Sequence, residues 1–148
     1  MNHLLDFSDI DRDVALKIIE TTLKVRDGDQ YEAKGHSVIK FEEPSTRTKV
    51  SFTIAAQKLG LDLILLEDQT SSQKKGESLD HEIQTLISLG VESLVIRTKE
   101  DNLDDYRRFE NISIISAGFG STSHPTQSIL DIATLMKYEK LNGDVPLI

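Results

Sequence analysis

"HSVIKFEEPSTRTKVSFTIAAQKLG", residues 36–60, changes its hydrophobic period part-way along. His36 to Phe41 has the length and apolar content of a strand. Beyond Pro44, the apolar residues Phe52, Ala55, Ala56 and Leu59 recur at three- and four-residue spacing, which predicts a helix over Thr46 to Leu59 closed by Gly60. "LDLILL", residues 61–66, follows at once and reads as a second, buried strand. Strand, polar turn, helix and strand in succession are the elements of a parallel crossover.

The same alternation continues in both directions. Upstream, a helix is expected from about Asp9 to Arg26, with Val14, Ile18 and Val25 near one face and Asp9, Asp11 and Asp13 early, where the helix dipole favours carboxylates. "DGD" at 27–29 ends it. Downstream, "EDQTSSQKKGE" has the composition of an exposed loop, and Leu79, Ile83, Leu86 and Ile87 form a helical stripe ending at Gly90. "VESLVI" (91–96) and "ISIIS" (112–116) read as two more strands with a short helix between them. A last helix starts near Pro125 and runs past Ile129, Ala133 and Met136. The expected fold is therefore α/β, a three-layer arrangement of a parallel four-stranded sheet flanked by helices, built by residues 1–148 as one unit.

Composition narrows the function. The chain has no cysteine, which removes disulfides and thiolate metal sites, and "MNHLLDFSDI" lacks the basic start and long apolar run of a signal peptide. The longest apolar stretch, near Leu61 to Leu66, is far short of the roughly 20 residues that span a bilayer. A soluble cytoplasmic protein that binds no membrane is expected. A net charge of -8 also argues against binding nucleic acid, yet a compact pocket of arginines and amides still holds a small anion.

In a parallel sheet the ligand crevice lies at the carboxyl ends of the strands. Four polar segments lead from those ends: "EPSTRTK", "EDQTSSQKKGE", "RTKED" and "AGFGSTSHPTQ". In the first, hydroxyls and free backbone amides at a helix start favour an anion, and Arg47 offers a bidentate fork; a plain N-cap with a surface arginine is the alternative. Arg97, just beyond the strand 91–96, is placed to reach the crevice or to be solvated. His124, before Pro125, sits at a helix amino terminus whose dipole disfavours its charged form, so it is either a neutral hydrogen-bonding group or a capping residue. Gln127 could read an amide or lie exposed. Lys74 and Lys75 are ordinary solubilising charges unless the fold brings them to the site. Gly118 and Gly120 permit close backbone approach, but neither a dinucleotide fingerprint nor a GxxxxGK[ST] loop is present. His3, His36 and His81 show no paired ligand spacing, and no Ser-His-Asp order can be built from spacing.

Taken in order, "FEEPSTRTKVSF", "SSQKKGESL", "VIR" and "HPTQSILDI" resemble the signature segments of the carbamoyltransferases, and most closely those of aspartate carbamoyltransferase catalytic chains. The resemblance reaches from the amino-terminal helix to about Leu141 and corresponds to that family's carbamoyl-phosphate-binding domain. It implies transfer of a carbamoyl group from carbamoyl phosphate to L-aspartate in pyrimidine biosynthesis, with no metal or organic cofactor. Ser45, Thr46, Arg47 and Thr48 would bind phosphate; Thr48, Arg97 and His124 would surround the carbonyl oxygen, and Gln127 would contact the carbamoyl nitrogen. Ser71 and Lys75 match loop residues that reach a neighbouring subunit's site, so a homotrimer is implied; the sequence names no regulatory chain. Ornithine carbamoyltransferase shares the S-T-R-T and H-P-x-Q segments and is one alternative, although "KKGESL" favours the aspartate enzymes. A non-catalytic phosphate or acyl phosphate binding module is another.

The second domain that would grip aspartate is not in this sequence, so the reading is a domain of a larger enzyme, inactive by itself. Other departures from the family pattern are Lys49 for arginine, Glu42 for phenylalanine, "DHE" (80–82) for an Asp-Thr pair, Thr98 for histidine, and Phe119 within a segment usually reading A-G-D-G. These read as changes in the supporting shell.

Overall fold

The computed structural model describes residues 3–67 and 78–138. Along the chain lie α1 (Arg12–Asp27), β1 (His36–Phe41), α2 (Thr46–Leu59), β2 (Asp62–Glu67), α3 (Leu79–Ser88), β3 (Val91–Thr98), α4 (Leu103–Arg107), β4 (Ser113–Phe119) and α5 (Pro125–Lys137). The strands form one parallel sheet in the order β2-β1-β3-β4. The chain steps outward from β1 to β2 and then returns to place β3 on the other side of β1. That reversal opens a crevice at the carboxyl ends of β1 and β3.

Alternate residues of β1 serve opposite faces, as the two-residue period of a strand requires. Val38 joins Ile83 and Leu86 of α3 in one core cluster, whereas Ile39 and Phe41 join Phe52 of α2 in another. A third cluster, centred on Ile19, Ile129 and Ala133, fastens α1 to α5, which in turn packs on β4. With both faces covered, β1 is buried without interruption from Ser37 to Phe41. Each large aliphatic side chain removed from water there contributes about 1.5–3 kcal/mol. The architecture is the three-layer α/β arrangement expected from the sequence.

Several boundaries differ for identifiable reasons. α1 begins at Arg12, where the Asp11 side chain accepts from the amide of Val14. Its buried positions are Ala15 and Ile19, while Val14 is 42% and Val25 50% exposed. The helix carries two neighbouring apolar stripes, and the core uses the one containing the small Ala15. Gly28 ends the helix at φ 118° with its amide on the carbonyls of Lys24 and Val25. β2 was expected to be buried, but it is an edge strand, and Ile64 and Leu65 are 43% and 46% exposed. β3 and β4 both run further than their apolar cores, to Thr98 and Phe119.

The amino-terminal segment lies along the outer side of β4. The Leu4 amide donates to the Ile114 carbonyl (2.9 Å), and the Ser116 amide donates to the Leu4 carbonyl (2.8 Å). Backbone groups that would template another chain are thereby paired. Among the described residues no helix is long and apolar enough to cross a membrane.

Candidate functional site

Helix α2 starts at the reversal point. Ser45 occupies its N-cap at φ -153°, ψ 89°, but makes no side-chain capping hydrogen bond. Ser45 thus takes the N-cap position without the side-chain bond that a capping serine makes. The first amides of a helix have no intrahelical acceptor, so this end combines unsatisfied donors with the positive end of the dipole. Thr46 and Arg47 are exposed in the first turn, and Ser45 and Thr48 are half-buried. Hydroxyls, amides and a guanidinium at one helix start are suited to an anion.

The turn that delivers this helix is held from both faces of the sheet. The Glu42 amide donates to the Arg97 carbonyl (2.9 Å). On the α2 side, Arg97 Nε donates to Glu43 Oε2 (3.2 Å). On the α3 side, Glu42 Oε1 meets Lys40 Nζ (3.0 Å). Lys40 in turn donates to Glu82 Oε2 (2.9 Å) and lies 2.8 Å from Oε1 of the same carboxylate. Two departures from the family pattern, Glu42 and the acidic end of "DHE", thus meet on one buried lysine.

Arg97 lies within β3 rather than beyond it. The pairing runs Ile96 with Ser116 and then Thr98 with Phe119, so Ala117 and Gly118 together oppose Arg97. Such a bulge re-aims a side chain at the end of a strand. The Arg97 Nη1 donates to the Ala117 carbonyl (3.2 Å), and the Gly118 amide is satisfied by Ser116 Oγ (3.2 Å). Gly118 has φ 125°, and a Cβ there would stand 3.1 Å from Arg97 Nη1. Glycine is needed here both for conformation and for close approach.

His124 is the N-cap of α5, with Pro125 in the first turn. Its imidazole is half-buried, and burial first, then the nearby Arg97 charge, lower its pKa below 6.5, opposed by Asp131. Desolvation and the Arg97 charge thus act in the direction expected of the helix dipole, toward the neutral ring. Thr126 Oγ1 lies 3.3 Å from Nδ1; with that hydroxyl donating, the ring proton resides on Nε2, a donor available to a ligand. The turn before His124 is fixed by Ser123, whose Oγ donates to the Leu5 carbonyl (2.9 Å).

Arg97, His124 and the α2 turn are thus brought to one sheet edge. Gln127 is exposed, and its Nε2 donates to Asp131 Oδ1 (3.0 Å). Ser71, Lys74 and Lys75 lie outside the described residues. Thr98 and Phe119 serve the opposite face: Thr98 Oγ1 accepts from the Glu100 amide (3.3 Å), and Phe119 packs edge-on against Tyr106 with ring centroids 5.1 Å apart. Among the described residues no group of three or more His, Asp or Glu could hold a metal.

Sequence reasoning missed Glu43, the Ala117–Gly118 bulge and the Lys40–Glu82 pair. Two signals were available: Gly118, already noted for close backbone approach, and a lysine within a buried strand, since a fully buried ammonium needs carboxylates beside it.

Residues 2–137 match the family model described as aspartate/ornithine carbamoyltransferase, carbamoyl-P binding domain. The chain belongs to this carbamoyltransferase family. An aspartate carbamoyltransferase catalytic subunit of Staphylococcus epidermidis is 42% identical over 157 residues, covering 98% of this chain and 53% of that protein. The catalytic subunit of M. jannaschii aspartate transcarbamoylase superposes with a TM-score of 0.76 at 32% identity, covering 95% of this chain and 48% of the other. The Trypanosoma cruzi aspartate transcarbamoylase in complex with carbamoyl phosphate gives a TM-score of 0.78 at 27% identity, covering 92% and 44%. The chain spans about half the length of the curated carbamoyltransferases it matches.

Proposed function

We propose that residues 1–148 form the carbamoyl-phosphate-binding domain of an aspartate carbamoyltransferase, which transfers the carbamoyl group to L-aspartate and releases phosphate. The observation that carries this reading is the meeting of an uncapped α2 start, Arg97 and a neutral His124 at the carboxyl edge of the sheet. The relatives at 34–42% identity are named as aspartate carbamoyltransferase catalytic subunits, which favours aspartate over ornithine as acceptor.

The amides and hydroxyls of Ser45, Thr46 and Thr48, with Arg47, hold the phosphate. Thr48, Arg97 and His124 donate to the carbonyl oxygen, and Gln127 contacts the carbamoyl nitrogen once its side chain leaves Asp131. When the uncharged amine of aspartate attacks the carbonyl carbon, the oxygen gains negative charge. Donors fixed beforehand stabilise that charge more than they stabilise the substrate. Arg97 is held by Glu43 and Ala117, so little reorganisation is required at that moment. The carbon–oxygen bond to phosphate then breaks as the attacking nitrogen gives up a proton to the departing phosphate oxygen, and Arg47 helps the resulting hydrogen phosphate dianion leave. Orientation replaces a covalent nucleophile. A second domain supplies the aspartate site, and Ser71 and Lys75 act across subunits of a cytoplasmic homotrimer.

Calorimetric titration with carbamoyl phosphate tests the shared requirement. Binding is expected, with Arg47→Ala weakening it by about 10- to 100-fold, the worth of a charge-assisted contact. Absence of binding, or an Arg47→Ala chain that binds as well as the parent, would sink the reading. An assay of the longer enzyme with aspartate against ornithine decides the acceptor.

A further inference from the structure

Lys40 is 1% exposed on the face of the sheet opposite Arg97, and its ammonium has three donors. Glu82 Oε1 and Oε2 and Glu42 Oε1 provide three oxygens at 2.8, 2.9 and 3.0 Å. The ammonium is paired with both carboxylates, yet its two arms differ. Glu82 is 7% exposed on α3 and anchors the ammonium to a covering helix. Glu42 is in the turn itself, three residues before the N-cap Ser45.

The adjacent pair Glu42 and Glu43 grips the sheet from opposite sides. Glu43 takes Arg97 Nε, Glu42 takes Lys40, and the Glu42 amide is bound to the Arg97 carbonyl between them. The path of the backbone into Pro44 and Ser45 is thereby fixed by three bonds from three directions. Two of them are made to Arg97, and only the Lys40–Glu42 pair uses no residue of the ligand site.

We propose that the ion pair between buried Lys40 and half-buried Glu42 is a positioning element for the phosphate site, setting the turn that presents Ser45, Thr46, Arg47 and Thr48. This rests on the proposed carbamoyl phosphate reading. Glu42 touches no ligand; it acts through the backbone of the turn, with Glu82 holding Lys40 in place. Loss of the Glu42 charge leaves Lys40 paired with Glu82, so the fold persists while the turn gains freedom.

Glu42→Gln keeps the volume and one acceptor and removes the charge. It is expected to raise the dissociation constant for carbamoyl phosphate about tenfold, with a denaturation midpoint close to the parent's. Coupling separates positioning from general weakening. The affinity lost on Arg47→Ala is expected to be about threefold or more smaller in the Glu42→Gln background, because the misplaced turn already misdirects Arg47. Amide exchange over residues 45–48 is expected to quicken in Glu42→Gln without any ligand. Unchanged affinity and exchange would overturn the proposal, as would strictly additive losses in the two-variant cycle. If the parent binds no carbamoyl phosphate, the function reading fails, whereas parent binding with an indifferent Glu42→Gln removes only the positioning role.

Discussion

Replacing Gly118 by alanine tests whether the bulge between β3 and β4 aims Arg97. At φ 125° a side chain is strained whatever the space around it, at a cost of about 1–3 kcal/mol. The new Cβ would also stand 3.1 Å from Nη1 and 3.4 Å from Cζ of Arg97, so the guanidinium must shift by a few tenths of an ångström. That shift loosens the 3.2 Å bond to the Ala117 carbonyl. Gly28 provides the control, because it has φ 118° and no heavy atom within 4 Å of its added Cβ. Both variants are expected to melt roughly 2–12 °C below the parent, from about 2–4 °C per kcal/mol for a chain of this size. Only Gly118→Ala is expected to weaken carbamoyl phosphate binding, by about tenfold or more for a misplaced charged donor. Differential scanning calorimetry followed by titration at a temperature where both variants are folded reads the two effects separately. Equal affinity in Gly118→Ala and Gly28→Ala would refute the assignment of Arg97 positioning to the bulge.

The pH dependence of His124 follows from its lowered pKa, whose first cause is burial. Between that lowered value and the ordinary 6.5 the unfolded chain takes up a proton that the folded chain refuses, so stability falls on acidification through this window. His124→Gln should flatten that part of the stability curve, and an imidazole titration followed by NMR should give a midpoint under 6.5. Lys40→Met leaves Glu42 and Glu82 facing each other unpaired, with an expected loss of about 3–5 kcal/mol in urea unfolding; a loss under about 1 kcal/mol would show that water reaches the pair. Ile39→Ala in the buried β1 should cost about 2–5 kcal/mol, whereas Ile64→Ala at the half-exposed edge should cost clearly less.

The alternation of strand and helix was legible because burial on both sides forces apolar runs in β1, β3 and β4 and because Gly28 and Gly60 stop helices in the left-handed conformation. The exposure of Val14 and Val25 in the expected stripe of α1, where only Ile18 packs on the core, and the buried reading of β2 share a cause. Periodicity tells which residues can face a core, but not which neighbour arrives or where the sheet ends. At the site, Ser45, Arg97 and His124 stood out by type and place. Their partners did not, because Glu43, Lys40 and Glu82 meet across 42 to 54 residues of chain and the bulge at Gly118 is a matter of register.

The docking of the first residues beside β4 has a kinetic consequence. The bond between the Ile114 amide and His3 Nδ1 spans 111 positions, and that between Ser123 and the Leu5 carbonyl spans 118. Contacts so distant in sequence are closed late, after the entropy of a very large loop has been met by the intervening sheet. The histidine turn that the first residues brace therefore depends on contacts that close only after the intervening sheet has brought the two segments together.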